Sequence, residues 1–412
     1  MKNNARNILV VTYWTYKDAL IQAYTLPYLH IIQEHLPRGS KIYLVTFEQA
    51  HMKLNMNEKM QVKHRLRLQG IHLITLQYMK FGPMALACWM LYFMRLIYTI
   101  IFKRISVIHA WCTPAGSIAY VLSRITRKPL VIDSYEPHAE AMIENKSWKP
   151  DSYQFRLLFS LEKKMSKHAS VIISATNSMH DYAANKYDVN LTNFFVKPAC
   201  VDFENFSSDK IRNVDLVRQL KLDDKVTCVY AGKFGGIYLD REVFDFFKVA
   251  QDYWKGRFRA LILSGHNREE LLRWASEAGI SKDSLIIKFV PHSDVAEFIG
   301  LGDFAITPVK PIPTKKYCTP IKDGEYWALG LPVVITPDIS EDSDIIMKKN
   351  IGAVINEFNQ EEYLRVCKII DDMLVNKNER KLNTEIMNVA SQYRDFRIAH
   401  EVYEQVYGNI LK

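Results

Sequence analysis

The sequence predicts an α/β protein built from two doubly wound halves, each with a largely parallel sheet. Short β-branched runs alternate with helical stretches from residue 8 to residue 350, and the alternation is interrupted once, near the middle. The length of 412 residues agrees with this, because a single hydrophobic core rarely grows beyond about 300 residues. Two domains are therefore expected.

Twelve strands are predicted, six in each half. In the first half they are Ile8 to Thr12, Lys41 to Thr46, His72 to Leu76, Val107 to Ala110, Leu130 to Asp133 and Val171 to Ser174. In the second half they are Lys225 to Ala231, Arg259 to Ser264, Leu285 to Phe289, Phe304 to Thr307, Pro332 to Ile335 and Ala353 to Ile355.

The domain boundary is predicted where the segment Val196 to Asp202 breaks the alternation and the polar segment Ser207 to Asn213 follows. The last ~50 residues have the apolar spacing of three helices. The predicted domains are residues 1–203, residues 204–392, and a C-terminal helix at 393–412 that packs back on the N-terminal domain.

The composition is that of an ordinary globular protein, with 48% apolar and 24% charged residues. The six cysteines are scattered, without a close pair or a His/Cys cluster at metal-ligand spacing. Met1 to Asn7 is polar and leads straight into a strand, so a cleavable signal peptide is not predicted. We expect a reduced, cytoplasmic protein without a metal site.

The excess positive charge lies in the first half: residues 1–205 hold 25 Lys/Arg and 14 Asp/Glu, whereas residues 206–412 hold 29 and 31. Such asymmetry is compatible with nucleic acid, an anionic membrane surface or simple solubility. No helix-turn-helix, zinc-finger or aromatic RNA-binding signature accompanies it, so no nucleic-acid partner is expected. Peripheral contact with an anionic membrane is favoured.

One segment, Met84 to Phe102, is long and apolar enough to suggest a membrane span. Arg95 interrupts it, and a central arginine is costly in hydrocarbon. Because the segment stands between two predicted strands of one sheet, a buried or surface-lying helix is favoured over a span.

A glycine-rich turn follows the predicted strand that ends at Ala231. Gly235 and Gly236 would let backbone N–H groups approach a phosphate, and Lys233 would add a point charge. A tight strand-to-helix turn with a solvated lysine is the alternative. The turn Gly265 to Arg268 likewise follows a strand and opens a helix, so it either approaches a ligand or is a plain polar connection.

The segment Thr319 to Ile335 places Lys322 and Glu325 three residues apart near a helix start. The helix N-terminus with Lys322 would stabilise a diphosphate leaving group, and Glu325 could accept hydrogen bonds from ribose hydroxyls. The alternative is a capped helix whose Lys and Glu pair in solvent. Asp342-Ser343-Asp344 is similar to a metal-binding DxD motif, but helix capping and first-turn acid explain it more simply.

The stretch Pro320 to Val334 resembles the donor-site segment of retaining glycosyltransferases of the GT-B fold, family four, in its form "sPxK..EYxAxGxPVv". Further resemblances cover most of the chain. They are Val107 to Gly116, Pro129 to Glu136, Phe159 to Ser174, Val196 to Phe206, Val290 to Val295 and Leu301 to Ala305.

The resemblance implies a GT-B architecture, two Rossmann-like domains facing a cleft, with a UDP- or GDP-linked sugar held mainly by the second domain. By this resemblance Lys233 and Lys322 contact the diphosphate and Glu325 binds the ribose. The other implied donor-binding residues are Gly235, Gly236, Gly265, Val290 and His292. The family usually needs neither metal nor cofactor, because its basic groups neutralise the charge.

Two departures from the family pattern concern the site. The first glutamate of the usual two-glutamate motif is Tyr317 here, and the cleft histidine aligns with Tyr135. His138 either substitutes for that histidine or the role is absent. Glu136, His138 and His109 follow or end predicted strands and are expected to face the cleft.

The predicted function is transfer of a sugar, with retention, to a glycan or lipid-linked acceptor, at the inner face of the membrane in polysaccharide or glycolipid assembly. His138, Glu136 and Lys322 are the candidate catalytic residues. A sugar-nucleotide epimerase of the same fold and a catalytically inactive nucleotide-sugar-binding scaffold are the alternatives. An oxidoreductase is disfavoured, since the first strand is followed by no GxGxxG turn.

Overall fold

The computed structural model describes residues 5–79, 83–291, 293–376 and 379–411. Contacts within the chain divide it into two units. Unit 1 is residues 1–197 together with 397–412, and unit 2 is residues 198–396. The predicted boundaries, 203/204 and 392/393, fall a few residues from these divisions.

Unit 1 contains a seven-stranded sheet in the order β3-β2-β1-β4-β5-β6-β7, with parallel pairing throughout. The four residues Ile8 to Val11 of β1 are fully buried, as expected for a strand covered by helices on both faces. The strands are β1 (Asn7–Val11), β2 (Ile42–Glu48), β3 (Ile71–Gln77), β4 (Ile105–Trp111), β5 (Leu130–Asp133), β6 (Val171–Ser174) and β7 (Phe194–Val196).

Helices connect successive strands, as parallel pairing requires. A π-helical turn at Leu20–Thr25 leads directly into the first of them. They are α1 (Leu26–His35), α2 (Met56–Leu68), α3 (Pro83–Phe102), α4 (Thr113–Thr126), α5 (His138–Glu144), α6 (Tyr153–His168) and α7 (Ser178–Tyr187).

Unit 2 contains a six-stranded parallel sheet in the order β10-β9-β8-β11-β12-β13. Its strands are β8 (Val226–Ala231), β9 (Phe258–Leu263), β10 (Leu285–Lys288), β11 (Phe304–Thr307), β12 (Val333–Ile335) and β13 (Gly352–Val354). Its helices are α8 (Val214–Leu220), α9 (Arg241–Trp254), α10 (Arg268–Glu277), α11 (Val295–Ile299), α12 (Ile321–Ala328), α13 (Asp342–Lys349), α14 (Gln360–Asn376) and α15 (Glu379–Arg394).

The last helix, α16 (Phe396–Ile410), packs on the N-terminal sheet. The Tyr403 hydroxyl donates to Asp133 Oδ2 at 2.6 Å, and the Tyr407 hydroxyl lies 2.7 Å from His109 Nδ1. The predicted return of the C-terminal helix to the N-terminal domain is therefore confirmed.

All twelve predicted strands are present, with ends that differ by at most two residues. The additional strand, β7, was not predicted. It has three residues, pairs with β6 alone, and ends where the chain reaches the predicted boundary. So short an edge strand leaves no detectable alternation in the sequence.

The apolar segment Met84 to Phe102 forms α3, the crossover helix between β3 and β4. Within the part of the chain that the structure describes, none of the helices combines the length and the apolarity needed to cross a membrane.

Candidate functional site

The glycine-rich turn lies at the carboxyl end of β8, a central strand of unit 2. Gly235 and Gly236 have φ angles of +75° and +64°, which side chains other than glycine adopt only with strain. Lys310 Nζ donates to the Gly236 carbonyl at 2.9 Å, and the Lys233 side chain is exposed. The turn therefore places two cations beside backbone that can approach a ligand closely.

The order of the strands marks this end of the sheet as a binding position. From β8 the chain proceeds outward through β9 and β10, and then returns to β11 on the other side of β8. Ligands of open α/β sheets bind at such reversals, beyond the carboxyl ends of the two strands. The loops that follow β8 and β11 carry the glycine turn and α12, respectively.

Lys322, in the first turn of α12, lies against the glycine turn. A Cβ atom built on Gly232 would be 2.9 Å from Lys322 Cε, a distance that real Cβ atoms do not adopt. A side chain at position 232 would therefore displace the lysine stem. The structure thus brings Lys322 and the turn that contains Lys233 together at one strand end, and Gly232 is a site residue that the sequence analysis did not single out.

Glu325 lies one helical turn after Lys322 and is half-buried. Burial raises the pKa of its carboxyl to about 7, and the nearby Lys322 ammonium opposes that increase. A carboxyl group that titrates near neutrality beside a lysine can accept hydrogen bonds from sugar hydroxyls in its ionised form. The alternative of a Lys–Glu pair fully in solvent is thereby disfavoured.

The position of α12 is set by Tyr326, whose hydroxyl accepts a hydrogen bond from the backbone amide of Ala231 at 2.9 Å. Ala231 is the last residue of β8, so this bond ties α12 directly to the strand that opens the glycine turn. Tyr326 itself is fully buried. It is a positioning residue, and only the tertiary structure identifies it.

A buried charge cluster holds the opposite side of α12. Asp323 accepts a hydrogen bond from the Thr307 hydroxyl of β11 and lies beside Asp342, which pairs with Arg394. Burial and the neighbouring Asp342 carboxyl raise the pKa of Asp323 well above its usual range. Gly324 lets the Arg394 side chain pack closely against the helix.

The same cluster accounts for the apparent DxD motif at residues 342–344. Asp342 is the first residue of α13, and its backbone amide donates a hydrogen bond to the Ser340 hydroxyl. This agrees with the prediction that the segment is a helix start with an acidic first turn. Its carboxylate is buried against Arg394, whereas Asp344 is 65% exposed and pairs with Lys348. Among the described residues, no group of three or more His, Cys, Asp and Glu side chains could hold a metal ion.

An open pocket of about 350 Å³ lies at the carboxyl ends of β9 and β10. Gly265 forms part of its wall, and a Cβ atom there would be 3.5 Å from the Phe289 ring. The Phe289 side chain is 77% exposed and lines the pocket, so its ring is open to solvent there. The pocket is lined by Ser264, Gly265, His266, Arg268, Ile287, Lys288 and Phe289.

Two of the predicted donor-binding residues lie in the wall of this pocket or next to it in the chain. Gly265 is in its wall, and Val290 follows Phe289 as a half-buried residue. His292 lies outside the described residues. The sequence did not identify Phe289 as a candidate site residue, because an aromatic residue at a strand end gives no sign of whether its side chain faces the core or solvent.

If the Phe289 ring stacks on the base of the UDP- or GDP-linked donor that the sequence resemblance implies, Phe289→Ala should weaken nucleotide binding by about ten-fold or more, because stacking of a base on an aromatic ring contributes roughly 1–3 kcal/mol. Isothermal titration calorimetry would measure this, with Phe358→Ala as control, since Phe358 is also an exposed phenylalanine of unit 2, at 44%. Equal affinities of Phe289→Ala and the unmodified protein would exclude a stacking role.

In unit 1, Glu136 and His138 follow β5 and lie side by side. His138 Nδ1 is 3.1 Å from Glu136 Oε1, and the side chains are 29% and 28% exposed, respectively. The Thr113 hydroxyl, at the start of α4, donates to the Glu136 carbonyl at 2.7 Å. Two neighbouring strand ends therefore place an accessible His–Glu pair, which can exchange a proton or orient a hydroxyl.

The backbone under this pair rests on a buried carboxyl group. Glu162 of α6 accepts from the Ala139 amide at 2.9 Å and from the Tyr187 hydroxyl at 2.8 Å. Burial raises the pKa of Glu162 to about 7, and these two hydrogen bonds oppose the increase. Glu162 is a positioning residue for the first turn of α5.

Tyr135, which aligns with the family's histidine, points into the core. Its side chain is fully buried, and its hydroxyl lies 2.6 Å from Ser166 Oγ and donates to the Glu162 carbonyl at 3.0 Å. A ring held in this way cannot reach a ligand. Tyr135 therefore cannot take the role of the family's histidine, whereas the nearby His138 is accessible.

The prediction that His109 faces a cleft is wrong. The side chain is completely buried, with Nδ1 next to the Tyr407 hydroxyl and Nε2 3.5 Å from Asp133 Oδ2. The strand end that seemed open in the sequence is covered by α16. A contact partner almost 300 residues later in the chain is invisible to local pattern analysis.

Comparison with solved structures places this geometry in a known fold. A glycosyltransferase of Rickettsia africae superposes with a TM-score of 0.71 over 99% of both chains, at 13% identity. HepE of Anabaena, solved with UDP, gives 0.71 over 98% of this chain and 100% of its own, at 14% identity. The chain has the GT-B fold. WaaG, a glycosyltransferase involved in lipopolysaccharide biosynthesis, shares the GT-B fold with a TM-score of 0.67 at 14% identity, over 98% and 99% of the two chains.

Sequence comparison adds nothing to this, since no family model and no curated protein matches the chain. The GT-B assignment therefore rests on the structure. Within it, the Lys322 site and the Phe289 pocket occupy neighbouring strand ends of the second Rossmann-like unit.

Proposed function

We propose that this protein is a glycosyltransferase that moves a sugar from a UDP- or GDP-linked donor to a glycan or lipid-linked acceptor. The observation that carries the proposal is the contact of the Lys322 stem with Gly232, which sets a cation at the glycine turn. Glu325 stands one turn away, and the Phe289 pocket has the size of a small-ligand site.

The arrangement matches the parts of a nucleotide sugar. Lys322 and Lys233 would bind the diphosphate, Glu325 the ribose hydroxyls, and the Phe289 ring the base. HepE of the same fold was solved with UDP-glucose, which supports this donor class. WaaG's role in lipopolysaccharide biosynthesis supports an acceptor of the glycolipid or polysaccharide type.

The proposed chemistry needs neither metal nor cofactor. The bond between the anomeric carbon and the diphosphate oxygen breaks while the acceptor oxygen bonds to the same carbon on the same face. Configuration is retained because the new bond forms on the face from which the diphosphate departs, and the acceptor proton passes to the leaving phosphate oxygen. Lys322 and Lys233 stabilise the negative charge that develops on the diphosphate, which is the largest catalytic contribution available here.

His138 and Glu136, both in unit 1, are proposed to orient hydroxyl groups of the acceptor. Both are accessible and hydrogen-bonded to each other, so they can hold a hydroxyl group in a defined direction. The reaction is proposed to take place in the cytoplasm, at the inner face of the membrane, in the assembly of a cell-surface polysaccharide or glycolipid.

Calorimetric titration with UDP, GDP and their common sugar conjugates, without added metal, tests the donor site. We expect one nucleotide to bind with micromolar affinity, and the Glu325→Ala variant to bind that nucleotide more weakly. If no nucleotide binds, the donor site is refuted. Binding without transfer to any glycan or lipid acceptor would favour the inactive scaffold, to which the replacement at Tyr317 points.

Donor affinity should rise as the pH rises through about 7, because Glu325 then ionises and accepts stronger hydrogen bonds from the ribose. The expected gain between pH 6 and pH 8 is about five-fold. A nucleotide sugar must be used for the titration, since the terminal phosphate of UDP itself titrates near pH 6.

Glu325→Gln should abolish this pH dependence, whereas the exposed Glu357→Gln should preserve it. Folding stability depends on pH in the opposite direction. The raised pKa of the Glu325 carboxyl favours the folded state below pH about 4.5, and this contribution is lost as the pH rises towards 7. Because Glu162 titrates in the same range, the difference between the unmodified protein and Glu325→Gln is the informative quantity. A pH profile unchanged in Glu325→Gln would assign the titration elsewhere.

A further inference from the structure

Helix α3 exposes an uninterrupted apolar stripe. Six of its large apolar side chains are each between 57% and 64% exposed. At 100° per residue they fall within an arc of about 120°, on a single side of the helix. The six are Met90, Leu91, Met94, Tyr98, Ile101 and Phe102.

The opposite side of α3 packs on unit 1. Leu96 and Ile100 are buried, and the Tyr92 hydroxyl donates to the Gln77 carbonyl of β3 at 3.1 Å. The helix is thus apolar on both its inward and its outward side. Soluble proteins expose scattered apolar residues, but a contiguous set of this size marks an interaction surface.

The surroundings of the stripe are strongly basic. Residues 59–132 contain eleven Lys and Arg and no Asp or Glu. The nearest acidic side chain before this range, Glu58, is paired with Lys17 at 2.9 Å. Helix α2 contributes four of the cations, namely Lys59, Lys63, Arg65 and Arg67.

These cations lie close enough to repel one another. The pKa of Lys63 is lowered by burial and by the charges of Lys59, Arg67 and Arg95. The pKa of His72 is lowered by burial and by Lys41, Arg67 and Lys103. Arg67 of α2 therefore shares an electrostatic neighbourhood with both Arg95 and Lys103, at the middle and the end of α3.

We propose that the α2–α3 surface, defined as the apolar stripe of α3 with Lys63, Arg67, Arg95 and Lys103, docks this protein on an anionic lipid bilayer. Helix α3 would lie in the plane of the interface, with its stripe among the acyl chains and the cations at the phosphate headgroups. A bilayer surface satisfies both halves of this surface at once, whereas a nucleic acid would leave the apolar stripe in water.

The surface exists whether or not the protein transfers sugars. Only its purpose, which is to bring the donor site to a lipid-linked acceptor, rests on the proposed function. Nucleotide binding and vesicle binding are measured separately, so the failure of one proposal leaves the other intact.

The test is co-sedimentation of the full chain with vesicles of phosphatidylcholine alone and of phosphatidylcholine with about 30% phosphatidylglycerol. We expect binding to the anionic vesicles and at least ten-fold weaker binding to the neutral ones. Salt at about 1 M should also weaken it, because the screening length falls from about 10 Å to about 3 Å.

Two variants separate the apolar and the electrostatic contributions. Met94→Gln with Ile101→Gln should lower the partition coefficient by about ten-fold or more, since two apolar side chains that would insert among the acyl chains are lost. Lys63→Gln with Arg67→Gln should lower it by about 25-fold, at about five-fold per cation. Met347→Gln is the matched control, because Met347 of unit 2 is 57% exposed, as Met94 is.

Three outcomes would overturn the proposal. The first is that the protein stays in the supernatant with anionic vesicles at low salt. The second is that both double variants sediment as the unmodified protein does. The third is that vesicles are not bound and the surface has another partner. Analytical ultracentrifugation would then show a dimer that Met94→Gln with Ile101→Gln dissociates, or the protein would bind duplex DNA in a salt-dependent way.

Discussion

Lys322→Ala is expected to weaken donor binding by about 10- to 100-fold, because a charge-assisted hydrogen bond to a diphosphate contributes roughly 1.5–3 kcal/mol. Turnover should fall further, by about 10²- to 10³-fold, since in the proposed mechanism the same ammonium stabilises charge that develops only as the diphosphate leaves. Calorimetry with the nucleotide sugar and a transfer assay at saturating donor would measure the two effects separately.

The control for Lys322→Ala is Lys282→Ala. Lys282 is an exposed lysine in the turn before β10, at the amino ends of the strands and so at the opposite edge of the sheet. Its replacement should change neither quantity. Lys322→Arg should recover part of the affinity because the charge is kept. If Lys322→Ala and Lys282→Ala bind the donor equally well, Lys322 does not contact the diphosphate.

Lys197→Met is expected to destabilise the protein by about 3–5 kcal/mol, because it leaves a buried carboxylate without its cation. Lys197 Nζ is 3.3 Å from Asp133 Oδ1, and both side chains are completely buried. The same ammonium lies 3.9 Å from the centre of the Tyr28 ring, in a cage of aromatic side chains. Chemical denaturation of the full chain would measure the loss.

The double variant Lys197→Met with Asp133→Asn should recover most of that loss, because both charges are removed and the new amide oxygen can still accept from Tyr403. Helix α16 provides a local readout. Since the Tyr403 hydroxyl donates to Asp133, amide hydrogen exchange in α16 should accelerate in the single variant. If Lys197→Met is as stable as the unmodified protein, the Lys197–Asp133 pair makes no net contribution to the free energy of unfolding.

Acid provides a second readout of this pair. Burial acts to raise the pKa of Asp133, but the Lys197 ammonium, together with His109 and Tyr403, holds it at about 2. A lowered carboxyl pKa contributes stability that is present above the unfolded value of 3.8 and is lost as the pH falls towards 2. This acid-sensitive contribution should be absent from the double variant.

Much of the fold could be predicted because parallel strands leave strong local signals. Strands buried on both faces require continuous β-branched runs such as Ile8 to Val11, and the helices between them require apolar residues at helical spacing. Strand β7 escaped because three residues at a sheet edge carry no such signal. The proposed donor-site segment could be singled out for a related reason, since Lys322, Glu325 and the glycines lie within short motifs of fixed spacing.

Side chains whose environment depends on distant residues were predicted less well. His109 and Tyr135 end or follow strands in the same way as Glu136, yet both are buried, one by α16 and the other by α6. Phe289 shows the reverse, an aromatic side chain that remains exposed. Local sequence specifies on which element such a residue lies, but not what covers it.

The sequence by itself determined the class of fold, the order of its strands and helices, and the motif that places Lys322 and Glu325 on one helix. These follow from local periodicity and backbone preference, which act over a few residues. Only the tertiary structure decided that Lys322 lies against Gly232, that Tyr326 ties α12 to β8, and that Met94 and its neighbours on α3 face outward. Burial and contact depend on residues far apart in the chain, so packing of the whole chain decides them.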